Sequence, residues 1–177
     1  MFSSHPDNEF KNLTRSTLPL LAYWKDEAAV LALIGSACEI NDLVTASVTD
    51  EFPTPSATSR DKASFTDVMV VSRSTAVAIE GKWTEPRYET VSDWLSRGDQ
   101  SNRNKVLAHW LTLIRHRATN LKETGVADVP YQMIHRTASA CAFVDKRPVV
   151  LYQIFRDGKH AVNYSVWPAP QLPANHK

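Results

Sequence analysis

Glu80, Gly81 and Lys82 close an apolar run, "VAIEGK" (77–82), and Asp67 opens another, "DVMVV" (67–71). Only "SRS" (72–74) lies between the two runs, so they read as a hairpin. If the turn is symmetric, residues whose numbers sum to 147 face each other. Ser72 then meets Thr75, Val70 meets Val77, and Asp67 meets Glu80, with paired residues sharing a face. Lys82 lies two beyond Glu80 and points to the same face. A slip of one residue would break the alignment. Two carboxylates placed across a sheet repel each other unless a cation sits between them. Mg²⁺ (or Mn²⁺) suits such hard oxygen ligands, with the carbonyl of Gly81 within reach. Lys82 would orient or help deprotonate a bound water, or stabilise charge growing on a phosphate oxygen. The alternative is a surface ion pair at a strand end, with Glu80 and Lys82 solvated.

The elements that must position these residues follow from the pattern around them. "STLPLLAYWKDEAAVLALIGS" (16–36) reads as one helix, capped by Ser16 or Thr17, with Pro19 in its first turn and Gly35 at its exit. Leu20, Trp24, Glu27, Leu31 and Ile34 share a face by their 4-3-4-3 spacing, and Glu27 interrupts that apolar stripe. "LVTASVTD" (43–50) alternates as a strand, and the Pro, Ser and Thr of 51–63 read as a loop. The two hairpin runs are apolar on consecutive positions, as in central strands covered on both faces. "TVSDWLSRG" (90–98) is a short helix with Thr90 and Asp93 as a capping box and Gly98 at its exit. A longer helix over 101–120 carries Val106, Leu107, Trp110, Leu111, Ile114 and Ala118 on its apolar side. A third, over 129–143, turns Tyr131, Ile134, Ala138 and Cys141 inward. "VVLYQIF" (149–155) and "AVNYSVW" (161–167) are strands joined by a turn at Asp157-Gly158.

The order helix, strand, hairpin, helices, hairpin describes a single α/β domain, a mixed β-sheet flanked by helices, over 16–167. A polar arm (1–15) precedes it and a loose tail (168–177) follows. The 177 residues, 43% hydrophobic and 22% charged, suit one soluble domain with a core of its own. A net charge of +1 leaves nucleic acid open, because a local basic stripe acts where the total does not. Lys105, His109, Thr112 and His116 recur on one side of the 101–120 helix, and no acidic residue occurs from Gln100 to Lys122. That side suits a phosphate backbone, and equally a solvated helix face. Arg87 and Arg103 flank the region after the motif as further phosphate contacts. Gln132 and His135 stand where the 129–143 helix would meet the hairpin, as second-layer residues or as structural ones. Six histidines and two cysteines show no zinc spacing, and five glycines form no phosphate loop or dinucleotide fingerprint. Cys38 and Cys141 read as reduced thiols of a cytoplasmic protein, with neither a signal peptide nor a membrane span in the sequence.

"TDVMVVSRSTAVAIEGK" (66–82) resembles the signature of the PD-(D/E)XK nuclease superfamily, the restriction-endonuclease-like fold: an Asp on one strand, then Glu-x-Lys on the next. Asp67, Glu80 and Lys82 fill those places, and Thr66 stands where a Pro often precedes the Asp. The superfamily core is a helix, a three-stranded meander, a helix and a further strand, the order read above from 18 to 155 with one additional helix. "EGKWTEPRYETVSDWL" with the later "YQMIHRTASA" is similar to an uncharacterised bacterial branch of that superfamily. The resemblance implies a Mg²⁺-dependent nuclease cutting phosphodiester bonds of nucleic acid, DNA above RNA. It implies catalytic Asp67, Glu80 and Lys82, and an acidic residue on the first helix, here Glu27, completing the metal site. Sequence-specific cutting by so small a domain would call for a homodimer or partner subunit. The alternative is a non-catalytic module on the same fold, binding nucleic acid or a protein.

Overall fold

A computed structural model describes residues 16–57, 63–83, 89–121 and 123–155. The N-terminal arm, Arg87, the expected strand over 161–167 and the C-terminal tail lie outside the described residues. The chain runs α1 (Thr17–Tyr23), α2 (Glu27–Cys38), β1 (Ser47–Thr54), β2 (Ser64–Val71), β3 (Thr75–Lys82), α3 (Val91–Leu95), α4 (Gln100–Arg115), α5 (Tyr131–Cys141) and β4 (Arg147–Ile154). Four strands form one mixed sheet in the order β1-β2-β3-β4. The meander β1–β2–β3 is antiparallel, and β4 returns parallel to β3 after the helices. The protein is therefore α/β, as the sequence pattern predicts. No helix among the described residues is long and apolar enough to cross a membrane.

The predicted hairpin register is the observed one. Val70 pairs with Val77 and Val68 with Ile79, each pair summing to 147. The turn has no Gly or Asn, and neither Arg73 nor Ser74 takes a positive φ. It is held by a hydroxyl instead. Ser72 Oγ accepts from the N–H of Ser74 at 3.3 Å and of Thr75 at 2.9 Å, and Asp42 Oδ2 takes the Ser74 N–H as well. β3 is buried along all eight residues, as its consecutive apolar run requires.

The single helix expected over 16–36 is two. Asp26 turns its side chain onto the N–H of Ala29 and caps α2, so a fresh helix starts at Glu27. α2 then runs through Gly35 to Cys38 and ends on Glu39 with a left-handed φ of 54°. The strand expected at 43–50 starts later and continues into the predicted loop, to Thr54. Leu43–Thr45 form a 3-10 turn instead. Pro53 is tolerated in β1 because that strand lies at the sheet edge.

Alternation along the strands splits the core. Val68, Val70, Val77 and Ile79 face Leu20, Trp24, Val30, Leu31 and Ile34 of α1 and α2. Met69 and Ala78 face Ala140 of α5 on the other side. α3 and α4 lie beyond α5, around Trp110, Leu111 and Ile134. The face of α4 is the predicted one: Val106, Leu107, Trp110, Leu111 and Ile114 are buried. α4 ends at Arg115, short of the expected 120, so Ala118 packs from the following turn.

Candidate active site: an acid–base cluster at the splayed end of β2 and β3

β2 and β3 stop pairing at Val68–Ile79, one position short of Asp67 and Glu80. Asp67 takes over there. Its Oδ2 accepts the N–H of Gly81 at 2.8 Å, so a side chain replaces a rung of the ladder. On its other flank the pairing with β1 also lapses, since Asp50 pairs with Val68 and Phe52 with Thr66. Glu51 between them, opposite Asp67, has a left-handed φ of 47°. A non-glycine residue in that region costs on the order of 1–3 kcal/mol, and such outliers gather where function constrains the backbone.

Asp67, Glu80 and Lys82 are brought together as their spacing predicts. Lys82 Nζ donates to Glu80 Oε1 at 2.8 Å, and both side chains are almost fully buried. Neither is the solvated strand-end pair of the alternative reading. The cation between the two carboxylates is a residue to which the sequence reading gives no role. Arg136 of α5 bonds Glu80 Oε2 through Nε, and its Nη2 stands 3.9 Å from Asp67 Oδ1. Gln132, one helical turn before it, donates Nε2 to Glu80 Oε1. The polar side of α5 thus faces the sheet, with Gln132, Arg136 and Ser139 all buried. Small residues at 138–140 let the helix come close, and Ser139 Oγ accepts from Thr54 Oγ1 at 2.8 Å. Helical spacing carries the missing signal, because a helix that places Gln132 on Glu80 places residue i+4, Arg136, there too.

Other expected members fall elsewhere. Glu27 does not complete the cluster. Among the described residues no group of three or more His, Cys, Asp or Glu side chains gathers as a metal site. The new start of α2 makes Glu27 its first residue, half-buried, and removes it from the register of α1. His135 stands beside the cluster with Nδ1 2.8 Å from Ser64 Oγ, itself 3.2 Å from Arg136 Nη1. What Gly81 contributes here is its N–H on Asp67. Arg103 lies over the Trp94 ring and donates to Trp94 O. Lys105 borders a different hollow, beside Val91 and Leu95. His109 bonds Pro55 O at 3.2 Å, and His116 caps the end of α4. The predicted basic helix side therefore does not converge on the cluster.

The electrostatics follow from burial and crowding. Asp67 is raised from 3.8 to about 7, first by burial and then by the Glu80 charge; Arg136, the Gly81 N–H and Lys82 oppose the shift. His135 is held well below its usual value by burial, Arg136 and Lys82, and so stays neutral. Tyr152 pairs with Glu80 across the parallel ladder, and burial followed by the Glu80 charge pushes its hydroxyl up. Gln132 Oε1 is buried without a hydrogen-bond partner among the described residues.

Fold and site together define an α/β protein in which a four-stranded mixed sheet supplies two acids and a lysine, and α5 an arginine, largely buried where two strands part. Over residues 2–167 the chain matches the model of a family described as "Domain of unknown function (DUF6946)", and it belongs to that family. No curated protein matches the chain, and neither does any solved structure.

Proposed function

We propose that the protein is a metal-dependent nuclease of the PD-(D/E)XK type, hydrolysing phosphodiester bonds of nucleic acid, with DNA favoured. One observation carries the reading. Asp67, Glu80 and Lys82 share a face at the splayed end of an antiparallel pair, where burial and the neighbouring Glu80 charge hold the Asp67 carboxyl up at about 7. The order helix, meander, helix, parallel strand supports the restriction-endonuclease-like fold. Burying four charges costs several kcal/mol per ion, and apolar residues of equal volume are often no less stable. Stability alone therefore does not account for the cluster.

The residues fit Mg²⁺ or Mn²⁺ by donor chemistry. Both carboxylates offer hard oxygens, and among the described residues Asp67 Oδ1 has only the distant Arg136 Nη2 beside it and Gln132 Oε1 is a buried acceptor without a partner. Asp67 and Glu80 would hold the ion, which when bound supplies an activated water and charge for the phosphate. The chain's own residues do the rest. Lys82 and Gln132 fix the Glu80 carboxylate, the Gly81 N–H fixes Asp67, and Lys82 Nζ offers a proton or a positive charge to a developing oxyanion. Arg136 supplies the counter-charge in the absence of an ion.

That last point also favours a second reading, a non-catalytic module on the same fold. Asp67 and Glu80 are balanced in number by Lys82 and Arg136. Plasmid and single-stranded DNA incubated with Mg²⁺ or Mn²⁺, beside Lys82→Ala, separate the two. Cutting that needs the metal and is lost in the variant is the expected result. No cutting by the wild type of any substrate leaves the binding module.

A further inference from the structure

A second concavity adjoins the cluster. Its volume is about 360 Å³, and Trp94, Arg103, Val106, Trp110, Tyr131 and His135 form most of its wall. Asn102, Ser56 and Ser64 complete it, so among the described residues no carboxylate lines it. The wall residues hold one another in place. Trp94 and Tyr131 are stacked at 3.8 Å and 9°, Arg103 lies 4.9 Å over the Trp94 ring, and Trp110 Nε1 donates to the Tyr131 hydroxyl at 3.0 Å. The cleft reaches the acids through two shared residues. Ser64 and His135 line it, and Ser64 Oγ accepts from the same Arg136 that bonds Glu80.

We propose that this cleft holds one unpaired nucleotide of the substrate, which makes that substrate single-stranded nucleic acid or a frayed end rather than an intact duplex. The inference rests on the nuclease reading for its direction and sharpens it. Ligand pockets run from roughly 300 to 1,000 Å³, so this one takes a nucleotide and excludes a base pair. A wall whose described residues bring a guanidinium, a histidine, an amide and two hydroxyls, and no acid, suits a phosphate and a sugar. Of the five N–H donors of a guanidinium, the bond to Trp94 O uses one. The faces of Trp94 are taken by Tyr131 and Arg103, so the base meets Val106 and the ring edges of Trp94 and Trp110. A wall already ordered loses little entropy on binding.

Tryptophan fluorescence reads the occupancy directly, because Trp94 and Trp110 line the cleft. The full-length protein is titrated in EDTA with short oligothymidine, oligouridine, a duplex of equal length and inorganic phosphate. Asn102→Asp and Arg103→Gln are measured beside it. Asn102→Asp adds a charge to the cleft at nearly constant shape, and it sits in the first turn of α4, where an acid favours the helix. A unit charge about 4 Å from a phosphate weakens binding about tenfold. We expect either or both oligonucleotides to quench the signal, the duplex to bind at least about tenfold more weakly, and Asn102→Asp to lose affinity with its melting temperature kept. Equal binding of duplex and single strand overturns the proposal. So do an unaffected Asn102→Asp, a full response to phosphate alone, or no response to any probe. Failure of the nuclease reading is seen separately, as a wild type that binds the oligonucleotide yet cuts nothing when Mg²⁺ is added.

Discussion

Asp67 carries a cost that the protein retains. Its carboxyl is raised to about 7 from 3.8, so between those values the folded protein holds a proton that the unfolded chain has released. Stability therefore falls as pH rises from about 4 to about 7, by on the order of a few kcal/mol at most, and is level above that. Asp67→Asn keeps an acceptor for the Gly81 N–H and removes the charge. Its unfolding free energy is expected to lack that fall and to exceed the wild type's at pH 8. Urea titrations at several pH values measure this, and a wild-type curve flat from pH 4 to 8 would refute it. The same proton competes with a divalent ion, so metal affinity should rise with pH up to about 7 as the carboxylate forms, which a metal titration at several pH values measures. Arg136 is the converse case. Its removal leaves Glu80 buried against an uncompensated Asp67, and breaking such a buried pair costs about 3–5 kcal/mol. Arg136→Met should melt well below the wild type in EDTA and recover part of the loss in millimolar Mg²⁺ or Mn²⁺. A variant that melts low with no response to metal contradicts a divalent site at these carboxylates.

At the scale of elements, the site depends on how closely α1 and α5 approach the sheet. Gly81 points away from the cluster, toward α1, where an added Cβ would meet Ser16 Cβ at 3.3 Å and Leu20 Cδ1 at 3.4 Å. Gly81→Ala should therefore cost about 1–3 kcal/mol by overpacking. It should also weaken catalysis more than that loss explains, because the Gly81 N–H that holds Asp67 moves with the strand. Chemical denaturation with parallel rates checks both, and a neutral variant would show that Leu20 yields. The β2–β3 half of this arrangement was legible in the sequence, since two apolar runs around a short turn allow one register that keeps both faces buried. The α5 half was legible only in part. Helical spacing placed Gln132 beside the hairpin, but an apolar-stripe reading assigns the polar side of a helix to solvent. Nothing local in "QMIHR" signals that this side would be buried on the Glu80 carboxylate, 52 residues before Gln132 and 56 before Arg136. The break at Trp24–Asp26 was hidden for a related reason. A good N-cap in the middle of a periodic stripe looks like one more polar residue of a continuous helix.

Over the whole molecule, α5 is shared between two structures of different character. One side packs on the sheet and bonds the acids, and the other packs on α4. α3 and α4 are held by α5 and by their own core, without a strand in their cluster. The proposed chemistry thus sits on the most buried element, β3, and the nucleotide cleft lies against the outer helices. Such a layer can open while the sheet stays closed, since local unfolding follows the units that share contacts. Leu111 is fully buried in the outer core, and Leu111→Ala removes about 2–5 kcal/mol of packing there. Hydrogen exchange on this variant should show faster exchange of the α3 and α4 amides, with those of β3 close to wild type. Nucleotide binding should fall with the outer layer, whereas the response of Arg136→Met to metal should survive in the double variant. Equal loss of protection in α4 and β3 would mean that the molecule opens as one unit, and that cleft and acids cannot be varied independently.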